Sequence, residues 1–330
     1  MENLRQKTFL IVGTGAVGGY YGAMLIKAGY DTTFIAHGKN YDALKQKGIT
    51  LITPGKTETF PVKVFNTADD LGWFDYIIIA VKSMNTKEAV SEIKNNLGSH
   101  TAVVSFQNGI ENIDIISSVT SKEKVIGANL YLNSWLTEPG VIELLGSYYI
   151  KIGALNGKET SQIKDLENIF KSAGVNCQIS PDIKADMWHK LVWNAAVNPV
   201  SVLTGKTIDE MLNDKESFSL IKNLMGEVRD VALAQGINLR KDTVEYNLEC
   251  VKNYQKGIIT SMLQDYQSGK PIELEELVGV VIRRAKEKNI KVPNIEKVYR
   301  ELSRDTIFNL TSNNVDVSKS ILSNTLPSRI

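Results

Sequence analysis

The stretch TFLIVGTGAVGGYYGAMLIKAGYDTTFIAH, residues 8–37, decides the fold. Phe9 to Val12 is a short apolar run, as expected of a strand buried on both faces of a parallel sheet. Gly13-Thr14-Gly15-Ala16-Val17-Gly18 follows at once and fits GxGxxG. In that pattern the first glycine permits the tight turn, the second lets backbone approach a pyrophosphate, and the third lets the helix pack close on the strand. The N–H groups that open the helix then face the phosphates. Gly29 closes the helix as its C′ residue, and Thr32 to Ala36 forms the next strand. A glycine turn without a ligand is the alternative, and the flanking strand and helix argue against it.

Further strands follow at suitable spacing. YIIIAVK (76–82) and TAVVSFQNGI (101–110) are apolar runs, with a helix expected between them over Thr86 to Leu97. In open α/β sheets ligands bind outside the carboxyl ends of the strands. Lys82 and Asn108 stand at such ends and can reach a cofactor, although each also suits an exposed loop. VIGANLYLN (125–133) and GVIELLGSYYIKIGAL (140–155) read as a hairpin-like pair that extends the sheet. A helix from Ser161 to Ala173 and a strand from Val175 to Ile179 complete a dinucleotide-binding domain over 1–181. The end of the second strand selects between nicotinamide cofactors, and an acid there usually holds the ribose 2′-hydroxyl. Here FIAHGKN (34–40) offers no acid but has His37 and Lys39, so the expected cofactor is NADP(H).

From 182 onward helical periods dominate: 182–203, 218–235, 243–254, 261–267, 272–288 and 295–308. The expected fold class is therefore α/β, an N-terminal Rossmann-type doubly wound sheet followed by an all-α domain over 182–330, with a poorly ordered tail from Thr311. HKLVWNAAVNPV (189–200) is an apolar helix interrupted by Lys190, Asn194 and Asn198, and Pro199 is expected to kink or end it. Four residues advance a helix by only about 40°, so these three polar residues share one face. A solvated face and a binding face both fit that stripe. TSMLQDYQSGKPIELEEL (260–277) carries Ser261, then Glu273 after a Gly-Lys-Pro break. Glu273, Glu275 and Glu276 suit a helix N-terminus, which explains acids in general without singling out one.

Composition narrows the classes. With 43% hydrophobic residues in 330, the chain can bury ordinary cores. The 38 basic and 37 acidic side chains give a net charge of +1, which offers no electrostatic case for nucleic acid or an anionic membrane. Two cysteines, Cys177 and Cys250, form no metal-spaced pair, and such sparse use in a long chain points to the cytoplasm. Thr8 to Ile26 lacks charge and mimics a membrane span, but five glycines between 13 and 22 fit the strand–turn–helix reading better.

In combination, GTGAVG (13–18), Asn108-Gly109, the K-x-x-x-N-x-x-x-N-P helix (190–199) and the SMLQD…G-x-x-x-E segment (261–273) resemble the ketopantoate reductase family, from Gly13 to about Phe308. The resemblance implies NADPH-dependent reduction of a small 2-oxo acid, 2-dehydropantoate, in pantothenate synthesis. By the same resemblance Lys190 is the proton donor, Asn194, Asn198 and Ser261 bind substrate, and Lys82, Asn108 and Glu273 lie near the cofactor. Three positions depart from the family pattern: His37 for an arginine, Ile208 in TGKTIDE for an asparagine, and Ile272 for a threonine. A related dehydrogenase for another 2-oxo acid and a non-catalytic NADP(H)-binding regulator remain alternatives. A homodimer is compatible with the sequence and not specified by it.

Overall fold

A computed structural model describes residues 7–145, 148–252 and 256–312, with side chains at 251–252 and 305–312 left aside. The packing divides into two compact units, Met1–Met187 and Trp188–Ile330.

The first unit runs β1 (Thr8–Val12), α1 (Ala16–Lys27), β2 (Asp31–Ile35), α2 (Gly38–Lys47), β3 (Ile49–Thr53), β4 (Lys56–Phe60), β5 (Lys63–Phe65) and β6 (Tyr76–Ile79). It continues through α3 (Thr86–Glu92), β7 (Ala102–Ser105), α4 (Asn112–Val119), β8 (Val125–Tyr131), β9 (Ser134–Glu138), β10 (Val141–Leu144), β11 (Tyr149–Ala154), α5 (Ser161–Ser172) and β12 (Cys177–Ile179). Eight strands form one sheet in the order β12-β11-β8-β7-β6-β1-β2-β5. β1 pairs in parallel with both β2 and β6, so strand order reverses at β1 and opens the crevice where such sheets bind ligands. Phe9, Leu10, Ile11 and Val12 are all buried, as a strand covered on both faces requires. Phe9 stacks on Tyr76 across the β1–β6 register, with ring centroids 5.2 Å apart.

Two expectations are corrected here, and a third is met. The segment 140–155 is two strands in different sheets: β11 pairs antiparallel with β8 in the main sheet, while β10 joins a four-stranded sheet in the order β4-β3-β10-β9. That second sheet escapes the sequence pattern because strands such as KTETF (56–60) are polar and half exposed. The helix expected over 86–97 stops at Glu92, and a short 3₁₀ turn over Lys94–Asn96 follows. Thr8 to Ile26 is strand, turn and helix, and no described helix is long and apolar enough to cross a membrane.

The second unit is helical: α6 (Ile183–Thr204, which begins in the first unit), α7 (Ile208–Asn213), α8 (Lys215–Ala234), α9 (Thr243–Lys252), α10 (Ser261–Gln267), α11 (Val280–Glu287) and α12 (Pro293–Ser312). The fold class read from the sequence, a doubly wound sheet followed by helices, is the one observed. Pro199 does not end α6, which continues to Thr204. Val197 and Val200, on either side of Pro199, are fully buried, and their packing outweighs the missing N–H. α8 presents Ile221, Leu224, Met225, Val228 and Val231 to the core on a helical period. Its Asp214 cap accepts the Ser217 N–H at 3.0 Å, and Glu227 of α8 accepts the N–H groups of Asn294 and Ile295 at 3.0 and 2.9 Å, capping α12. α12 extends to Ser312, two residues into the expected tail, and the rest of that tail lies outside the described residues.

Gly22 provides a test of the α1 packing. Glycine to alanine inside a helix normally gains close to ~1 kcal/mol, but here a methyl would overlap the Phe34 ring and crowd Ile11 Cγ1 at 3.2 Å. Gly22→Ala is expected to lower stability by about 1–3 kcal/mol, measured by urea denaturation; a stabilised variant would show that the α1–β2 contact is looser than described.

Candidate active site

The glycine turn lies between β1 and α1, and its three pattern glycines meet different constraints. Gly13 adopts φ +96°, and a Cβ there would lie 2.7 Å from Val81 N. At Gly18 a Cβ would overlap the Gly13 carbonyl and lie 2.9 Å from Ala80 Cβ. Both glycines are required by the protein itself. Gly15 is different: nothing lies within 4 Å of where its Cβ would be, and its φ of −69° suits any residue. No contact within the protein requires this position to lack a side chain. Gly15 also caps α1 with no side-chain hydrogen bond, so the N–H groups of Ala16, Val17 and Gly18 open the helix toward that space. Thr14 is buried and tied down by Asn40, whose Nδ2 donates to the Thr14 carbonyl at 2.8 Å and to its Oγ1 at 2.6 Å. Asn40 Oδ1 in turn accepts the Gly140 N–H at 2.8 Å, joining turn, α2 and second sheet. This geometry fits a dinucleotide pyrophosphate.

Lys82 follows β6 and is exposed; Asn108 follows β7 and is half-buried. Their loops are joined, because Ser83 Oγ donates to the Asn108 carbonyl at 2.8 Å and Asn112 Nδ2 donates to the same oxygen at 2.6 Å. Buried Thr86, Gln107 and Asn112 extend the network, with Thr86 Oγ1 to Asn112 Oδ1 at 2.7 Å and Gln107 Nε2 to Thr86 Oγ1 at 2.7 Å. The sequence reading missed these three, since single polar residues at the starts of α3 and α4 and in the loop after β7 give no pattern. His37 and Lys39 are both exposed at the start of α2. An acid does reach this place: Glu92 Oε2, from α3, lies 4.0 Å from His37 Nε2. Its 55-residue separation from His37 hides it from a reading of the second strand.

In the second unit α6 presents Lys190, Asn194 and Asn198 one turn apart. Leu191, Val192, Ala195, Ala196 and Val197 pack around it, all 0–1% exposed. Asn194 and Asn198 are only 7% and 4% exposed, so the stripe is not a solvated face. No protein hydrogen bond to either side-chain amide is present among the described residues. Neither amide is among the described polar atoms sealed from solvent without a partner, so the stripe is open to a ligand's polar groups. Lys190 keeps part of its surface open, and burial nonetheless pulls its ammonium down to about 8, with the negative charge of Glu273 opposing the fall. A depressed lysine destabilises the fold while charged, so this cost is present below about pH 8 and relieved as pH rises toward 10.5.

The three acids of the segment are now distinct. Glu273 is 5% exposed and immediately precedes the helix. Glu275 is exposed and held by Arg283 at 2.8 Å and by the Tyr299 hydroxyl. Glu276 is half-buried, and desolvation raises its carboxyl, with Glu273 and Glu275 adding to the rise. A π-helical turn over Glu275–Gly279 replaces the regular helix expected there. Ser261 is exposed at the first position of α10. Its position is fixed from α6: the buried Ser201 hydroxyl donates to the Asn198 carbonyl at 2.7 Å and lies 2.5 Å from Thr260 Oγ1, which accepts the Leu263 N–H at 3.2 Å. Ile208 and Ile272 are buried apolar residues.

A doubly wound sheet with a ligand-shaped glycine turn, followed by helices carrying a depressed lysine, defines an NAD(P)-dependent oxidoreductase. Family models described as "Ketopantoate reductase PanE/ApbA" and its C-terminal part match residues 9–157 and 182–305. The chain belongs to the ketopantoate reductase family. It is 28% identical over 295 residues to an uncharacterized oxidoreductase of Bacillus subtilis, covering 89% of this chain and 97% of that one. It is 28% identical over 309 residues to the 2-dehydropantoate 2-reductase of Mesorhizobium japonicum, covering 87% and 94%. The crystal structure of 2-dehydropantoate 2-reductase from Geobacter metallireducens superposes with TM-score 0.86 at 28% identity, over 91% of this chain and all of that one. D-mandelate dehydrogenase, solved with NADH and anilino(oxo)acetate, shares the fold with TM-score 0.86 at 21% identity, over 94% of this chain and all of that one.

Gly15 separates ligand binding from folding. Gly15→Ala is expected to cost under about 1 kcal/mol of stability, the usual scale for a cap change, while weakening NADP+ at least about tenfold through contact with the pyrophosphate. Thermal melting and calorimetric titration check the two halves; unchanged affinity would remove the ligand explanation for this glycine.

Proposed function

We propose that the chain reduces 2-dehydropantoate to pantoate with NADPH, with Lys190 as the proton donor. The domains divide the work, residues 1–181 holding cofactor and 182–330 binding substrate, and the setting is cytoplasmic. The observation that carries the proposal is the α6 face: a lysine lowered to about 8, followed at one-turn spacing by two largely buried asparagines.

Reduction of a ketone requires a hydride at carbon and a proton at oxygen. The nicotinamide, when bound, supplies the hydride. Gly13 to Gly18 seat the pyrophosphate, Lys82 and Asn108 flank the nucleotide from the strand ends, and His37 and Lys39 attract the 2′-phosphate. The Lys190 ammonium donates to the ketone oxygen and stabilises the negative charge that develops there. A value near 8 leaves it charged at neutral pH yet willing to release its proton. Asn194 and Asn198 orient the keto acid, and Ser261 donates to its carboxylate. Glu273 accepts a hydrogen bond from the substrate hydroxyl and keeps the lysine charged. Ile208 favours a second reading, a 2-oxo acid with a more apolar side chain, because it stands where an amide would add a polar contact.

Three outcomes are expected. Lys190→Ala should fold and lower kcat by about 10²- to 10⁴-fold, the range for a lost general acid; near-normal turnover would remove Lys190 from the chemistry. In the reductive direction kcat/KM should fall as pH rises through about 8, because the proton to be donated is lost there; a profile flat from pH 7 to 10 would contradict this. Finally, 2-dehydropantoate should exceed its deoxy analogue by up to about 10⁴-fold in kcat/KM, and Glu273→Gln should narrow that gap. If the wild type treats the two substrates alike, a different 2-oxo acid is the substrate.

A further inference from the structure

A carboxylate from α3 stands beside His37. His37 caps α2 at the end of β2, and its Nε2 lies 4.0 Å from Glu92 Oε2. The end of β2 adjoins the glycine turn, since the Gly13 N–H donates to the Ile35 carbonyl at 3.3 Å. Asn40, in the first turn of α2, bonds Thr14 of that turn at 2.6 and 2.8 Å. His37 and Glu92 are therefore held beside the place where a dinucleotide's adenosine ribose sits, which in such folds is read from the end of the second strand. The chain leaves that strand end without an acid of its own and brings one from α3.

We propose that Glu92 is a specificity-determining residue for the ribose 2′ position: it weakens the hold on a 2′-phosphate and accepts a hydrogen bond from a 2′-hydroxyl. This rests on the reading that the glycine turn binds a nicotinamide dinucleotide. The charges at this corner oppose one another. Lys39 and Lys82 are exposed cations at the start of α2 and just before α3, and they attract a phosphate. The Glu92 carboxylate, 23% exposed, repels it and stands beside the 67% exposed His37 imidazole. A phosphate near charge −2 interacts at least about twice as strongly as a single charge does. Exposure and salt screen the effect, which leaves it at several-fold.

The test is calorimetric titration of the full chain with NADP+ and with NAD+ at low ionic strength, for wild type, Glu92→Gln and Glu92→Lys. Glu92→Gln should tighten NADP+ about three- to tenfold and leave NAD+ unchanged or slightly weaker. Glu92→Lys should move the ratio further the same way. An NADP+ to NAD+ affinity ratio that is the same in all three proteins overturns the proposal, and so does a shift toward NAD+. A general folding defect would weaken both cofactors together and is read from thermal melting, with the ratio still deciding the matter. Substrate turnover does not enter. A wild type that prefers NAD+ overturns the NADPH reading while the ratio in the variants still judges Glu92; a wild type that binds neither cofactor overturns both.

Discussion

An ammonium group withdrawn from water on an otherwise apolar helix is the constraint around which the second unit is organised. Lys190 cannot be buried as a cation without cost, and that cost lowers its proton affinity to about 8. Glu273 limits the fall by favouring the charged form. A lone buried lysine would become neutral and lose its use as an acid at pH 7; a tightly paired one would hold its proton too firmly. The combination of desolvation with one acidic neighbour places it between those extremes. The fully buried residues around it, Leu191, Val192, Ala195 and Ala196, offset the cost through their own burial.

The two asparagines belong to the same logic. Two largely buried asparagines that follow Lys190 at one-turn spacing are not what a helix devoted only to packing needs. In the proposed reaction their carbonyl and amide groups would meet a keto acid from one side while Lys190 meets its oxygen. The Asn198–Ser201–Thr260 chain then carries the α6 geometry to Ser261, using hydroxyls that are themselves buried. In the first unit Asn40 has the corresponding task, tying the glycine turn to α2 and to Gly140.

Much of this was legible in the sequence where the signal is local. The β1–turn–α1–β2 unit is visible because its glycines and apolar runs lie within thirty residues, and the Lys190 stripe is visible because helical spacing is regular. What stayed hidden depends on tertiary contact. The second sheet is built from short, half-exposed strands, and β10 and β11 adjoin in sequence yet pair in different sheets. Pro199 sits inside α6 because burial outweighs a local rule. Glu273 differs from Glu275 and Glu276 only in its surroundings, and Glu92 reaches His37 from another helix.

The central claim is that the folded chain holds Lys190 as an acid poised near neutral pH, and the most direct measurement is its titration. Carbon-13 labelling at lysine Cε, with assignment by the Lys190→Ala spectrum, gives the midpoint of that one side chain in the intact protein. The account predicts a resonance titrating near pH 8, well below the ordinary lysine value of ~10.4. A Lys190 resonance that titrates together with the exposed lysines would contradict it.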